Sequence, residues 1–219
     1  MWFLVGFLGV VRVSMKNELD SLLEKIKDNG LKYFLRWFLG DDYLGPEYFA
    51  APGAANKHHA FDGGLAYHSI HAAKLGWRIA KHYEKLGFNI SLDVVVAGIL
   101  LHDIGKIKCY GKNENGQWVK TKEDSLFHHI PIGYHCLLNG AALYNAQQKD
   151  LQFYQIDNEV VEHLGHIILS HHGRRAWSSP VIPQTLEAYV VHTVEMMDGY
   201  MDNLKKGEGL QTIYDGVNY

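Results

Sequence analysis

Cysteine is scarce in this chain. Cys109 and Cys136 are the only two among 219 residues, which excludes a disulfide framework and any Cys-x-x-Cys zinc pattern and makes a reducing cytoplasm the expected compartment. Charge of one sign is also lacking. The 21 Lys+Arg stand against 24 Asp+Glu, a net charge of -3, so no surface dedicated to coating nucleic acid is expected, although a local basic rim can still hold phosphates. Several catalytic signatures are missing too. There is no Gly-x-Ser-x-Gly elbow, no P-loop, no Gly-x-Gly-x-x-Gly after a strand and no His-Glu-x-x-His; His163-Leu164-Gly165-His166 lacks both the base and the spacing. No repeat, low-complexity tract or Pro/Gly/Ser linker divides the chain.

Long hydrophobic runs are short here. The apolar stretch from Met1 to Val11 falls well below the roughly 20 residues that span a bilayer. It has no preceding Lys or Arg and no small-x-small cleavage site, so it is not read as a secretory signal. Gly6 and Gly9 weaken a helix there. The expectation is a buried strand or an upstream extension, and a homodimer contact if that strand is exposed.

Histidine is what the chain has in excess: 14 residues, several-fold above the roughly 2% of ordinary compositions. Such an excess invites a metal or proton-transfer reading. Helical periodicity organises these histidines. Ser14 can cap a helix carrying Met15, Leu19, Leu22, Leu23 and Ile26, with Gly30 as its stop. Leu31–Leu39 follows as a second short helix, then a loop over Gly40–Asn56 with room for one helical turn. Gly64–Leu86 reads as a long amphipathic helix closed by Gly87, and Ser91 caps an apolar one. Asn115-Gly116 within 108–122 gives the one hairpin signal. Phe127–Tyr144, Asn158–Ser170 and Thr185–Lys206 read as three further helices. The expected fold is all-α, a helical bundle with a small β-hairpin excursion.

The apolar run Val94–Leu101 ends in His102-Asp103-Ile104-Gly105-Lys106. A His-Asp pair delivered to the core is costly unless both groups are paired or bind a metal, and imidazole plus carboxylate suits a first-row divalent cation. Other apolar helices present similar groups at their edges: His68 one turn into the long helix, with His71 on the same face, then His128-His129, His171-His172, and Glu195 with Asp198 at i and i+3. This is what an interior metal site in a helical bundle requires. His58 and His59, in the loop before the long helix, fit the site entrance or a substrate contact, whereas His82, His135, His163 and His192 read as structural.

These residues carry a resemblance. His68, His102-Asp103 and a late acid resemble the HD superfamily of metal-dependent phosphohydrolases. The segments His58–His68, His102–Lys106, His129–Gly133, Ser170–Gly173 and Ser179–Ala188 are similar to the HD domain of YhaM-type 3′→5′ exoribonucleases. That likeness covers about residues 50 to 206 and implies an HD domain at 51–206, an N-terminal extension with packing helices at 1–50 and a tail at 207–219. The residues ahead of it are too few and too helical for the N-terminal OB-fold of those exonucleases. The resemblance implies a first metal on His68, His102, Asp103 and the late acid, Glu195 by alignment with Asp198 one turn on. Asp103 would bridge to a second metal on His129 and His171 or His172. The cofactor would be one or two divalent ions, with Mn, Fe, Ni, Co, Zn and Mg all open.

The implied activity is hydrolysis of a phosphate ester or phosphodiester of a nucleotide, or of a short single-stranded nucleic-acid end, by a metal-activated water. It would be a phosphodiesterase, nucleotidase or exonuclease type of cytoplasmic enzyme, with no membrane partner. Asp103 and Lys106 are its catalytic candidates. Lys106 suits a phosphate oxygen, and Arg174 and Arg175 could add bidentate contacts from the rim. Two alternatives stay open: a di-iron oxygenase at a similar site, and a catalytically silent nucleotide-binding regulatory module.

Overall fold

The computed structural model describes residues 2–55 and 59–205. Helix α1 (Trp2–Leu23) turns into α2 (Asn29–Phe38) and a single-turn α3 (Gly45–Tyr48), and a loop then leads to the long α4 (Gly64–Lys85). The apolar α5 (Leu92–Leu101) ends at His102, and a one-turn α6 (Lys106–Cys109) runs into strands β1 (Tyr110–Lys112) and β2 (Trp118–Lys120). Helices α7 (Lys122–Phe127), α8 (His129–Gln147), α9 (Asn158–Ser170) and α10 (Leu186–Lys205) complete the described chain. The helical bundle with a small hairpin is as expected.

Helix α5 is the hub. Every residue from Val94 to Leu101 is buried, because α4, α9 and α10 pack around it and α2 touches it as well. A helix that is apolar on all sides has no solvent face to keep. Ser91 sets its start, with Oγ accepting from the Val94 N–H at 3.3 Å. Asp93 in its first turn accepts from the backbone N–H groups of Lys27 and Asp28, both at 2.9 Å, and so ties the α1–α2 turn to the hub.

The hairpin pairs Tyr110 with Lys120 and Lys112 with Trp118. Its loop is organised by Asn113, whose side-chain oxygen accepts from the N–H groups of Asn115 and Gln117 at 3.0 Å each. Gly116 supplies the positive φ of 74° that the turn needs.

Three expectations are corrected. The N-terminal apolar stretch is helix rather than strand, and α1 runs through Ser14 without a break, so Ser14 caps nothing. A short apolar run does not reveal its period, and an isolated strand would leave backbone groups unpaired where a helix satisfies them locally. Gly30 ends no helix either. It lies in the first turn of α2, which Asp28 caps by accepting from the Leu31 N–H. A Cβ at Gly30 would sit 2.1 Å from the Gln155 carbonyl oxygen, so the glycine answers to a tertiary contact. Met15, Leu19, Leu22 and Leu23 of α1 share one core with Phe34, Phe38 and α5. No helix among the described residues is long and apolar enough to cross a membrane.

Candidate metal centre

The buried hub delivers its end to the interior. His102 and Asp103 are both 0% exposed. The His102 Nδ1 lies 2.6 Å from the Ile99 carbonyl one turn back, so Nδ1–H donates there and Nε2 is turned inward. The end of α9 repeats this device. His171 is fully buried, its Nδ1 is 2.8 Å from the Ile168 carbonyl, and Nε2 again points inward. On α4, His68 Nε2 comes to 3.2 Å from His102 Nε2 and 3.3 Å from Glu195 Oε2 of α10.

Two groups of ligating atoms result. The first holds one atom each from His68, His102, Asp103 and Glu195, all within 4.8 Å of one another, and the second holds His129, His171 and His172 on the same criterion. Asp103 joins them. Its Oδ2 is 3.3 Å from His102 Nε2, while its Oδ1 is 3.2 Å from His129 Nε2 and 3.6 Å from His171 Nε2. Neither Asp103 oxygen, nor Glu195 Oε2, makes a hydrogen bond of good geometry, and all three atoms are buried. Two buried carboxylates so close together are costly unless positive charge neutralises them, and two inward imidazole nitrogens at 3.2 Å repel unless a proton or cation lies between them. The set of imidazole nitrogens and carboxylate oxygens fits one or two divalent cations, without selecting the metal.

Without a metal, protons and Lys106 balance the charge. Burial opposes a charge on His68, but Asp198 and Glu195 beside its two nitrogens lift its pKa to about 10. Burial also opposes the Asp103 charge, yet Lys106, His102 and His129 hold that carboxyl well below its usual range. Glu195 is held low in the same way by His68. The second group behaves differently. Burial depresses His129 to about 4 and His171 well below the usual imidazole value, so both are neutral.

Asp198 stands on the other side of His68. Its Oδ2 lies 2.6 Å from His68 Nδ1 and 2.7 Å from His59 Nε2, facing the nitrogen turned away from Glu195. Behind it, Asp202 accepts from the His59 backbone N–H at 3.2 Å. His59, His68 and Asp198 form a third set of atoms close enough for an ion. His59 is thus a buried residue of this support rather than one lying open at an entrance. Lys106 is also buried, with Nζ 2.5 Å from Asp103 Oδ2. His172 donates from Nδ1 to the Trp177 carbonyl, and Arg174 stacks over that indole at 4.7 Å. Arg175 is exposed, and His58 lies outside the described residues. His192 hydrogen-bonds the His171 carbonyl at 2.8 Å, and His163 pairs with Glu187 at 3.3 Å.

Two residues were given no role at the site from the sequence. Asp202, four positions after Asp198, had a signal in the acidic stripe of α10. His128 stood out only as the neighbour of His129, because its distinction is its backbone: φ 64°, ψ 156°. That region is open essentially to glycine and costs another residue roughly 1–3 kcal/mol.

Comparison with known proteins adds the relatives. The chain is 34% identical over 175 residues to the 3'-5' exoribonuclease YhaM of Bacillus velezensis, covering 77% of this chain and 51% of that protein. It is 35% identical over 170 residues to the YhaM of Oceanobacillus iheyensis, covering 78% and 48%. With the Bacillus pumilus protein of the same name it shares 29% identity over 218 residues, 95% of this chain and 64% of the relative. The chain therefore spans about half the length of the first of these relatives. No solved structure matches it. The family model described as "HD domain" matches residues 65–197, more than half of the chain and nearly all of the elements that feed the metal cluster. Sequence and site geometry therefore converge on one identification, and the chain belongs to the HD domain family.

Proposed function

We propose that the chain is a metal-dependent phosphohydrolase that cleaves phosphodiesters at the 3′ end of short single-stranded nucleic acid. The observation that carries this reading is Asp103, a fully buried carboxylate whose two oxygens face two separate groups of inward imidazoles. The nucleic-acid part rests on the likeness to the YhaM exoribonucleases. In this reading His68, His102, Asp103 and Glu195 hold one ion, and His129, His171 and His172 hold a second with Asp103 shared. Bound there, divalent ions would polarise a phosphoryl oxygen and bring a water toward ionisation near neutral pH. The remaining work is positioning and charge neutralisation. Lys106 fixes the Asp103 carboxylate and keeps a cationic charge at the cluster. Arg174, stacked on Trp177 next to His172, adds charge at the rim. Cytoplasmic location belongs to the same reading, supported by Cys109 and Cys136 both being free thiols.

The test is a panel: short RNA and DNA, nucleoside mono-, di- and triphosphates and a generic phosphodiester, with Mn²⁺ or Mg²⁺ added. Release of nucleoside monophosphates from 3′ ends is the expected result. Release of phosphate alone would make it a nucleotidase instead. A fully metallated protein that hydrolyses none of these overturns the reading.

Two further results are expected. Asp198→Asn keeps the shape but removes the carboxylate that orients His68, and loss of such an orienting carboxylate costs about 10–100-fold in metal affinity. Competition with a fluorescent chelator measures this, and an unchanged affinity would count against the support role. Second, metal uptake depends on pH. His68 carries a proton up to about pH 10 in the metal-free protein, and an ion must displace it. Affinity therefore rises with pH, by up to tenfold per unit for that proton, between pH 6 and 9. Calorimetry in buffers of different ionisation enthalpy counts the released proton.

A further inference from the structure

Three non-glycine residues among those described have positive φ: His59, His128 and Ser178. Ser178, at φ 71° and ψ 10°, sits in the ordinary left-handed region of a turn, whereas His128, at φ 64° and ψ 156°, lies in glycine territory. A chain keeps such a conformation where the surroundings over-determine it, and such sites cluster where ligands are handled. Local structure does not repay it here. His128 precedes α8, yet its side chain makes no capping hydrogen bond to that helix. Its backbone N–H already bonds the Asp124 carbonyl at 2.9 Å, closing α7 without any use of the ring.

The strained backbone does set the position of the ring. The imidazole is half-buried, its centroid 4.3 Å from that of His129 and 6.2 Å from that of His172. Its Nδ1 is buried and has no hydrogen-bond partner among the described residues. An imidazole with unused hydrogen-bonding capacity therefore stands against the His129–His171–His172 half of the cluster, on no element of which it depends for a bond.

We propose that His128 is a substrate-contacting residue whose imidazole hydrogen-bonds a phosphoryl oxygen of the phosphate ester at the His129–His172 side of the cluster. The ligand class is a phosphate monoester or diester, or inorganic phosphate as product. The inference rests on the phosphohydrolase reading above. It makes the backbone strain a device for holding a donor where charge gathers on the phosphoryl oxygens, which is where preorganised donors act.

The test separates strain from contact, using two substitutions in the metal-loaded full chain. His128→Gly removes the ring and suits the backbone, so Tm rises by about 2–4 °C while kcat/KM falls by about 10²–10³-fold, the effect of a lost preorganised donor. His128→Ala removes the ring and keeps the strain, so kcat/KM falls as far with no gain in Tm. Metal content stays that of the unaltered protein in both. A glycine variant with kcat/KM within twofold of the unaltered protein overturns the proposal and leaves the phosphohydrolase reading standing. So does a glycine variant that gains no Tm, since the strain is then absent, or one that loses its ions, since His128 then serves the metal site. If the unaltered protein hydrolyses no ester, that reading falls, and calorimetry with inorganic phosphate decides the residue separately. About tenfold weaker phosphate binding in His128→Gly supports the contact, and equal binding overturns it.

Discussion

Asp103→Asn is expected to lower phosphohydrolase activity by at least about 10³-fold with the helical fold retained, since bound divalent ions would supply several kcal/mol of charge stabilisation that is lost with their shared ligand, and each 1.36 kcal/mol is tenfold in rate. The substitution conserves shape and removes only the charge, and that charge serves both groups at once. One oxygen faces His102 and Lys106, the other His129 and His171. No other carboxylate among the described residues does this, and Glu195 belongs to the first group alone. Both ions should therefore be weakened together, and metal analysis after dialysis should find less than one per chain. Stability also falls, because Lys106 is buried against Asp103 and stranding one partner of a buried pair costs up to about 3–5 kcal/mol. Weaker repulsion between position 103 and Glu195 offsets part of that. Circular dichroism, metal content and the rate on the preferred substrate check the three claims. An asparagine variant that keeps both ions and a tenth of the activity would sink the shared role of Asp103.

Much of this site was legible in the sequence for an identifiable reason. A run such as Val94–Leu101 can be stable only inside, so the residues that end it, His102 and Asp103, had to arrive near the core. The same logic marked the end of α9 and the first turns of α4. Periodicity and caps were equally informative, and Ser91 and Gly87 stand where they were expected. What stayed hidden depends on tertiary contacts. Gly30 looks like a stop until Gln155, far along the chain, is seen against it. Glu195 and Asp198 share a helix face at i and i+3, and spacing alone does not say which nitrogen of His68 each one meets. His59 reads as an entrance residue from its loop position, yet Asp198 and Asp202 draw it inside. His128 is the extreme case, since no residue type announces its own φ and ψ.

Gly105→Ala is the second large effect, and it acts through space rather than conformational freedom. Gly105 has ordinary right-handed angles, φ -63° and ψ -19°, which alanine adopts readily. The obstacle is that an added Cβ would lie 2.0 Å from the His129 carbonyl oxygen and 2.6 Å from the Gly133 nitrogen, at least about 1 Å short of ordinary contact. Both atoms are backbone of α8, so no rotamer change relieves the clash, and the His-Asp turn must move away from that helix. This close seating brings His129 Nε2 to 3.2 Å from Asp103 Oδ1. The methyl group should therefore damage fold and site together. A loss of about 4 kcal/mol or more is expected, the range reserved for severe overpacking. That corresponds to a fall in Tm of roughly 8–16 °C for a chain of this size. Gly116→Ala is the control: it has positive φ but nothing within 4 Å of the added Cβ, so it should cost only about 1–2 kcal/mol and leave metal content unchanged. Thermal melts and metal analysis on the two variants give the comparison. If Gly105→Ala melted no lower than Gly116→Ala and kept its ions, α8 would not be seated on the His-Asp turn as described. The joining of the two ligand groups through Asp103 would then lose its structural basis.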